Sequence, residues 1–370
     1  MHRRGDVSRQ PHVVVDARML YHSGIGTYVR NLVPRVAALL PAWRFTALVP
    51  RTAPADALEN VAMVECGSDI YTLAEQVELP RAVPRDAELL WSPHYNIPLR
   101  SRTPLLVTVH DVAHLARPEH TGFAGLARAA YARLLLSQVR RRAERIVFVS
   151  ESGRQEFERF VGTSRQAVVV HNGVDDAWRV VKPGNRPHHR PYLLFVGSVK
   201  PHKNIGGLIR AFASLAPNIP HDLLIAGSHT GMRTIDTTSM AEASRLGDRV
   251  RFLGQIGDRA LPELVANADA LVFPSFYEGF GLPPLEAMAA GCPAVVSDIP
   301  PVREVCGDAA LYFDPASTGQ MAAAIQRVLA DGILRGRLVA AGRARSAEFT
   351  WERAARRVAD VMIEMSPRLV

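Results

Sequence analysis

Short, mostly apolar runs recur along the chain, separated by stretches in which apolar residues return every three or four positions. The first half carries runs at Val13 to Val15, Phe45 to Val49, Val61 to Val64, Leu89 to Trp91, Leu105 to Val109, Ile146 to Val149 and Ala167 to Val170. A break rich in Pro, Gly, His and Arg follows, Lys182 to Pro191, after which the pattern restarts at Tyr192, Leu223, Val250, Ala270, Ala294 and Leu311. Strands with no polar face are buried on both sides, the condition of parallel sheets covered by helices. The pattern therefore predicts an α/β chain of two doubly wound domains, residues 1–184 and 185–350, joined near residue 185. A last amphipathic stretch, 351–370, predicts a helix capped by Thr350 with no strand after it.

In such sheets ligands sit beyond the carboxyl ends of the strands. The residues just after the runs are small or polar: Gly197, Gly227, Gly254, Ser275 and Ser297 in the second half, His110, Asp111 and Ser150 in the first. Composition narrows the classes. With 370 residues, 48% hydrophobic and 22% charged, the chain is neither disordered nor membrane-spanning by composition. Its formal charge of +8 is spread over both halves, which argues against a nucleic-acid partner. Three cysteines without a C-x-x-C pair give neither a disulfide framework nor a zinc site and suit a reducing compartment. The polar start, with Arg3, Arg4 and Arg9 and no apolar region after them, predicts a cytoplasmic protein without a secretory signal.

Four constellations carry candidate chemistry. In Pro274 to Glu286 a strand ends, a Gly-rich loop follows, and Pro283 or Pro284 suits the first position of a helix that Gly291 and Pro293 end. The N–H groups of Gly279, Phe280, Gly281 and Leu282, with the positive end of that helix, form an anion site. Glu278 at the loop entrance and Glu286, expected in the first helical turn, suit hydroxyl groups, which donate to carboxylates. Backbone on a phosphate beside carboxylates on hydroxyls describes a nucleotide sugar. In Phe195 to Asn204, Gly197 and Ser198 precede Lys200 and Lys203, two of only three lysines in the chain, with Asn204 a candidate helix cap. A lysine there can neutralise a diphosphate. The segment Ser23 to Tyr28 holds Gly24 and Gly26 but lacks the third glycine of a dinucleotide fingerprint, leaving either a helix entrance or a close approach to phosphate or sugar. His110 and Asp111 follow a strand, where a lone histidine serves structure as readily as chemistry. No D-x-D occurs, so a metal bridge lacks ligands and no metal or other cofactor is expected.

Glu278-x7-Glu286, FVGSVKPHKN, HNGVD at 171–175, the His110-Asp111 pair and GIGTYVRNL at 24–32 together resemble the retaining glycosyltransferases of family 4, of GT-B fold, over nearly the whole chain. The resemblance implies two Rossmann-like domains facing across a cleft and metal-independent transfer from a nucleotide-sugar donor. It implies Lys203 and the Gly279 to Leu282 loop on the departing diphosphate, Glu286 on the ribose, Glu278 on sugar hydroxyls and His110 near the reacting carbon. Gly24 to Gly26 would approach diphosphate or acceptor, and the last helix would return to the first domain. Ser198 departs from the family, in which many members have arginine there. The donor taken is GDP-mannose, the acceptor a glycan or lipid-linked oligosaccharide of a surface polysaccharide. UDP- or dTDP-sugar transfer, a GT-B epimerase or phosphorylase, and a non-catalytic sugar-nucleotide binder stay open. The arginines from Arg128 to Arg145 read either as a solvated helix face or as a peripheral contact with anionic lipid at the inner membrane face.

Overall fold

The computed structural model describes residues 10–54, 56–70, 72, 74–117, 123–184, 187–228 and 237–366, the side chains of residues 23, 123–128 and 237 excepted. One seven-stranded sheet comprises β1 (His12–Asp16), β2 (Arg44–Val49), β3 (Ala62–Glu65), β4 (Leu89–Ser92), β5 (Leu105–Val109), β6 (Ala143–Phe148) and β7 (Ala167–Val169), in the order β3-β2-β1-β4-β5-β6-β7. A six-stranded sheet comprises β8 (Tyr192–Val196), β9 (Asp222–Ala226), β10 (Val250–Gly254), β11 (Ala270–Phe273), β12 (Ala294–Ser297) and β13 (Ala310–Phe313), in the order β10-β9-β8-β11-β12-β13. All the pairings are parallel.

The lack of alternation in the sequence has its cause here. Every residue of β1, β5, β9, β11 and β12 is buried, because helices cover both faces of each sheet. The edge strand β3 is the contrast, with half-buried and exposed positions only. Each sheet reverses its strand order once, between β1 and β4 and between β8 and β11. Chain leaving neighbouring strands at such a point diverges and opens a crevice at their carboxyl ends, so the loops after β8 and β11 flank one crevice and those after β1 and β4 flank the other.

The last helix, Trp351–Met365, is capped by the Thr350 hydroxyl, which accepts from the Arg353 N–H at 3.1 Å. Its buried stripe of Trp351, Ala354, Ala355, Val358, Val361, Met362 and Met365 packs on the helix Ser23–Leu39 of the first half. There Trp351 meets Tyr28 edge-on, with ring centroids 6.2 Å apart, and Glu352 accepts from Arg35 Nε at 2.8 Å. The chain reaches this helix past Gly173, where a Cβ would lie 2.1 Å from the Trp351 nitrogen, so only glycine admits the crossing.

Candidate active site

The rim of the six-stranded sheet is made of glycine and backbone. Gly197 and Gly227 follow β8 and β9 with φ of +151° and +152°. A Cβ on Gly227 would stand 1.9 Å from the Gly197 carbonyl oxygen, so the strand ends close to a spacing no side chain permits. The Gly227 N–H donates to the Gly254 carbonyl at 2.8 Å, which carries the contact on to β10. Beyond Gly197, Ser198 is half-buried, Lys200 exposed, and a short 3-10 turn, Pro201–Lys203, leads to Asn204 in the left-handed region. Asn204 occupies the cap position of the helix Ile205–Leu215 without capping it. Its amide instead donates to the Pro274 and Pro315 carbonyls at 3.1 and 2.8 Å, fastening this loop to the one after β11.

That second loop runs into the helix Leu282–Ala290 through Gly281, at φ +122°. Leu282 takes the first helical position, with the prolines second and third, so the helix starts one residue earlier than the prolines suggest. Glu286 accordingly lies past the first turn, half-buried in the helix. Burial, with the Asp258 charge adding to it, pushes its carboxyl up to about 7. Glu278 accepts from Lys203 Nζ at 2.6 Å in a pair whose side chains are 12% and 15% exposed. The Lys203 ammonium is thus held on a carboxylate, and Phe273 presents its ring 5.5 Å away. Gly291, at φ +77°, closes the helix as the sequence suggests.

The loop after β11 touches the other half directly. A Cβ on Gly279 would lie 2.0 Å from the His110 carbonyl oxygen, so the backbone next to Glu278 abuts the backbone of His110. His110 Nε2 lies 2.9 Å from the Pro93 carbonyl, which can only accept, so the ring proton sits on Nε2 and Nδ1 is left as an acceptor. Burial pulls the His110 pKa down to about 4, with the hydrogen bond to Pro93 and the Asp111 charge opposing, so the ring is neutral near pH 7. Tyr28 stands perpendicular to it at 4.9 Å. Across the seam a Cβ on Gly24 would lie 3.9 Å from Leu282, and one on Gly26 only 2.5 Å from the Leu20 carbonyl. The GIG segment therefore brings the first turn of Ser23–Leu39 up to the first turn of Leu282–Ala290, and Gly26 serves packing within its own loop.

Sequence reasoning missed a buried charged cluster beneath β1 and β4. Arg18 donates to both oxygens of Asp16 at 2.8 and 2.7 Å and lies 3.5 Å from Glu75, while His94 Nε2 is 3.3 Å from Asp16. All four are buried. Burial works to raise the Asp16 pKa, yet the Arg18 guanidinium overcomes it and holds the carboxyl well below its ordinary range. The members stand at 16, 18, 75 and 94, a separation with no local signal. Also unforeseen is Glu304, which accepts from the Glu151 and Ser152 N–H groups at 2.7 and 3.0 Å and pairs with His171 at 2.7 Å.

Two peripheral features look different in three dimensions. His188 and His189, isolated in sequence, meet Asp222, with ligand atoms within 4.8 Å of one another. Asp222 already pairs with His188 at 2.7 Å, Arg249 at 3.0 Å and Arg190 at 3.4 Å, and two guanidiniums on the carboxylate disfavour a cation. In the arginine-rich helix Phe123–Arg142, Arg133 and Arg141 are exposed, whereas Arg142 donates to the Pro98 and Ser101 carbonyls. The side chain of Arg128 lies outside the described residues. Among the described residues no helix is long and apolar enough to cross a membrane.

Comparison with known proteins agrees with this fold. Residues 22–178 match the model for Glycosyltransferase Family 4 and residues 176–345 that for Glycosyl transferases group 1. The O-antigen chain mannosyltransferase B of Escherichia coli is 38% identical over 44% of this chain and 42% of its own. The O-antigen chain mannosyltransferase RfbU of Salmonella typhimurium is 31% identical over 67% of both chains. The match thus spans less than half the length of the first relative and two thirds of the second. Among solved structures, Anabaena HepE in complex with UDP-glucose superimposes with a TM-score of 0.77 over 96% of this chain and all of its own, at 19% identity, a likeness of fold. With both halves matched in order and one relative matched over two thirds of its length, the chain belongs to glycosyltransferase family 4.

Proposed function

We propose that the protein transfers a sugar from a nucleotide donor to a hydroxyl of a glycan or lipid-linked acceptor, with retention of configuration and without a metal, in the assembly of an O-antigen-type surface polysaccharide. The mannosyltransferase relatives support mannose, and GDP-mannose is the donor we favour. The observation that carries the reading is the junction at Gly279, whose backbone abuts the His110 carbonyl of the other half while its neighbour Glu278 pairs with Lys203.

In this reading an arriving diphosphate draws Lys203 from Glu278. The ammonium and the N–H groups of Gly279 to Leu282 then stabilise the charge that grows on the leaving group, and the released Glu278 carboxylate takes sugar hydroxyls. His110 offers Nδ1 as an acceptor near the reacting carbon, and Glu286 receives the ribose hydroxyls. Ser198 is too short to replace an arginine, so the charge work falls on Lys203, with Lys200 and His202 nearby in the chain. Gly24 leaves room beside the diphosphate. Exposed Arg133 and Arg141 would meet anionic lipid at the cytoplasmic face.

The test incubates the protein with GDP-mannose, UDP-glucose and a dTDP-sugar in chelator, following nucleotide release with and without acceptor and the anomeric configuration of the product. Release from GDP-mannose with a retained product is expected. Release from a UDP- or dTDP-sugar instead would move the donor, as the fold shared with HepE permits. Isomerised donor would mark an epimerase, phosphate-dependent release a phosphorylase, and binding without turnover a sugar-nucleotide carrier. An absolute need for Mg or Mn would refute the metal-free part.

A further inference from the structure

The helix Glu151–Val161 stands at the seam between the halves and grips the loop after β11 at two points. Its cap residue Ser150 accepts from the Gly153 N–H at 2.9 Å and donates its own proton to the Gly279 carbonyl at 2.7 Å. Further along, Glu156 accepts from the Tyr277 hydroxyl at 2.7 Å, and the same hydroxyl accepts from the Val112 N–H at 3.2 Å. Tyr277 is buried, and burial raises the Glu156 pKa above its ordinary value although the tyrosine bond opposes this. Removing either partner would strand polar groups away from water.

The placement is specific. Tyr277 and Gly279 flank Glu278, and Val112 follows His110 by two residues, so the anchors bracket both members of the junction at once. Resting on the function proposed above, we infer that Ser150, Glu156 and Tyr277 are positioning residues that fix the Glu278 and Gly279 backbone against His110. None of them need touch the sugar. They set the spacing between the sugar-binding carboxylate of one half and the imidazole of the other, a spacing to which transfer is sensitive. Ser150 is the less useful probe because it also caps its helix, so the test falls on the other pair.

Full-length wild type, Tyr277→Phe, Glu156→Ala and Glu156→Gln are compared by backbone hydrogen exchange of residues 275–282 and 110–114 and by steady-state transfer. In Tyr277→Phe and Glu156→Ala both segments should exchange about tenfold faster, and kcat should fall about tenfold with the donor KM within about twofold. Glu156→Gln, whose amide oxygen still accepts, should stay near wild type in both readouts. Exchange and kcat at wild-type values in Tyr277→Phe would overturn the inference, as would a lower Tm with unchanged kcat, which marks a merely structural bond. Failure of the wild type to turn over any nucleotide sugar would instead overturn the function proposed above, and the exchange comparison would still decide the anchors.

Discussion

At the ends of β8, β9 and β10 the chain turns on Gly197, Gly227 and Gly254, and the loop after β8 supplies Lys203 to its pair with Glu278. Beyond β1 and β4 the opposite rim is braced by Asp16, Arg18, Glu75 and His94, all buried. At the first rim glycine lets the strand ends approach within a side chain's thickness, Gly197 and Gly227 donating their N–H groups to the Ala226 and Gly254 carbonyls. Its Lys203–Glu278 pair keeps 15% and 12% of its side chains exposed. The second rim spends its charges on each other, and the Arg18 guanidinium holds the Asp16 carboxyl well below its ordinary range. Under the function proposed above, a rim that takes a diphosphate would keep a charged pair exchangeable, whereas the opposite rim closes its polar groups into a network.

The most severe way to break this contrast is at the junction. Gly279→Ala puts a methyl group 2.0 Å from the His110 carbonyl, and the halves must separate to accept it. Transfer should fall by about a hundredfold or more while nucleotide affinity changes little, since a shift near 1 Å suffices for such a loss. Steady-state kinetics beside a binding isotherm checks this, and an active Gly279→Ala would remove the junction from the account.

The next effect separates the two ion networks. Arg18→Met leaves Asp16 and Glu75 buried without their cation and should cost roughly 3–5 kcal/mol in urea unfolding. Lys203→Met should cost less stability, its partner lying at the cleft, and should fall instead on turnover. Equal losses of stability would erase the distinction between a bracing rim and a binding rim.

A pH series sharpens the binding side. Glu286 titrates near 7 in the folded chain against 4.5 ordinarily, so the folded state holds the extra proton. Its contribution to stability is present below 4.5 and is lost as pH rises through about 7. If ribose hydroxyls need the carboxylate, nucleoside diphosphate affinity should rise about tenfold between roughly pH 6 and pH 8, and Glu286→Gln should flatten the rise. His110 runs the other way: with its pKa lowered to about 4, its contribution is full above 6.5 and is lost as pH falls toward 4. The smallest effect lies at the crossing helix, where Thr350→Ala removes the cap on Trp351–Met365 and should cost about 1 kcal/mol in thermal or urea unfolding.

The same contrast explains what could be read from the chain. The strands, their doubly wound arrangement and the Thr350 cap follow from apolar runs and cap chemistry, which are local. The E-x7-E block and the lysine loop stand out in the chain because their glycines, prolines and charged residues lie at short local spacings. The helix start at Leu282 was misjudged by one residue because two successive prolines are both compatible with a first turn. Asn204 was misread because its side chain had carbonyl partners at 274 and 315, far along the chain. The Asp16–Arg18–Glu75–His94 cluster and the Ser150, Glu156 and Tyr277 anchors join residues across the fold, and no spacing in one sequence encodes them.

The central claim is that the glycine rim and Lys203 hold a nucleoside diphosphate without metal. Calorimetric titration of GDP, UDP, dTDP and ADP in chelator into wild type, Lys203→Ala and Glu286→Ala tests it most directly. One diphosphate should bind wild type, and both variants should weaken it by about tenfold or more. Binding that appears only with divalent metal, or that is equal in all three proteins, would contradict the account.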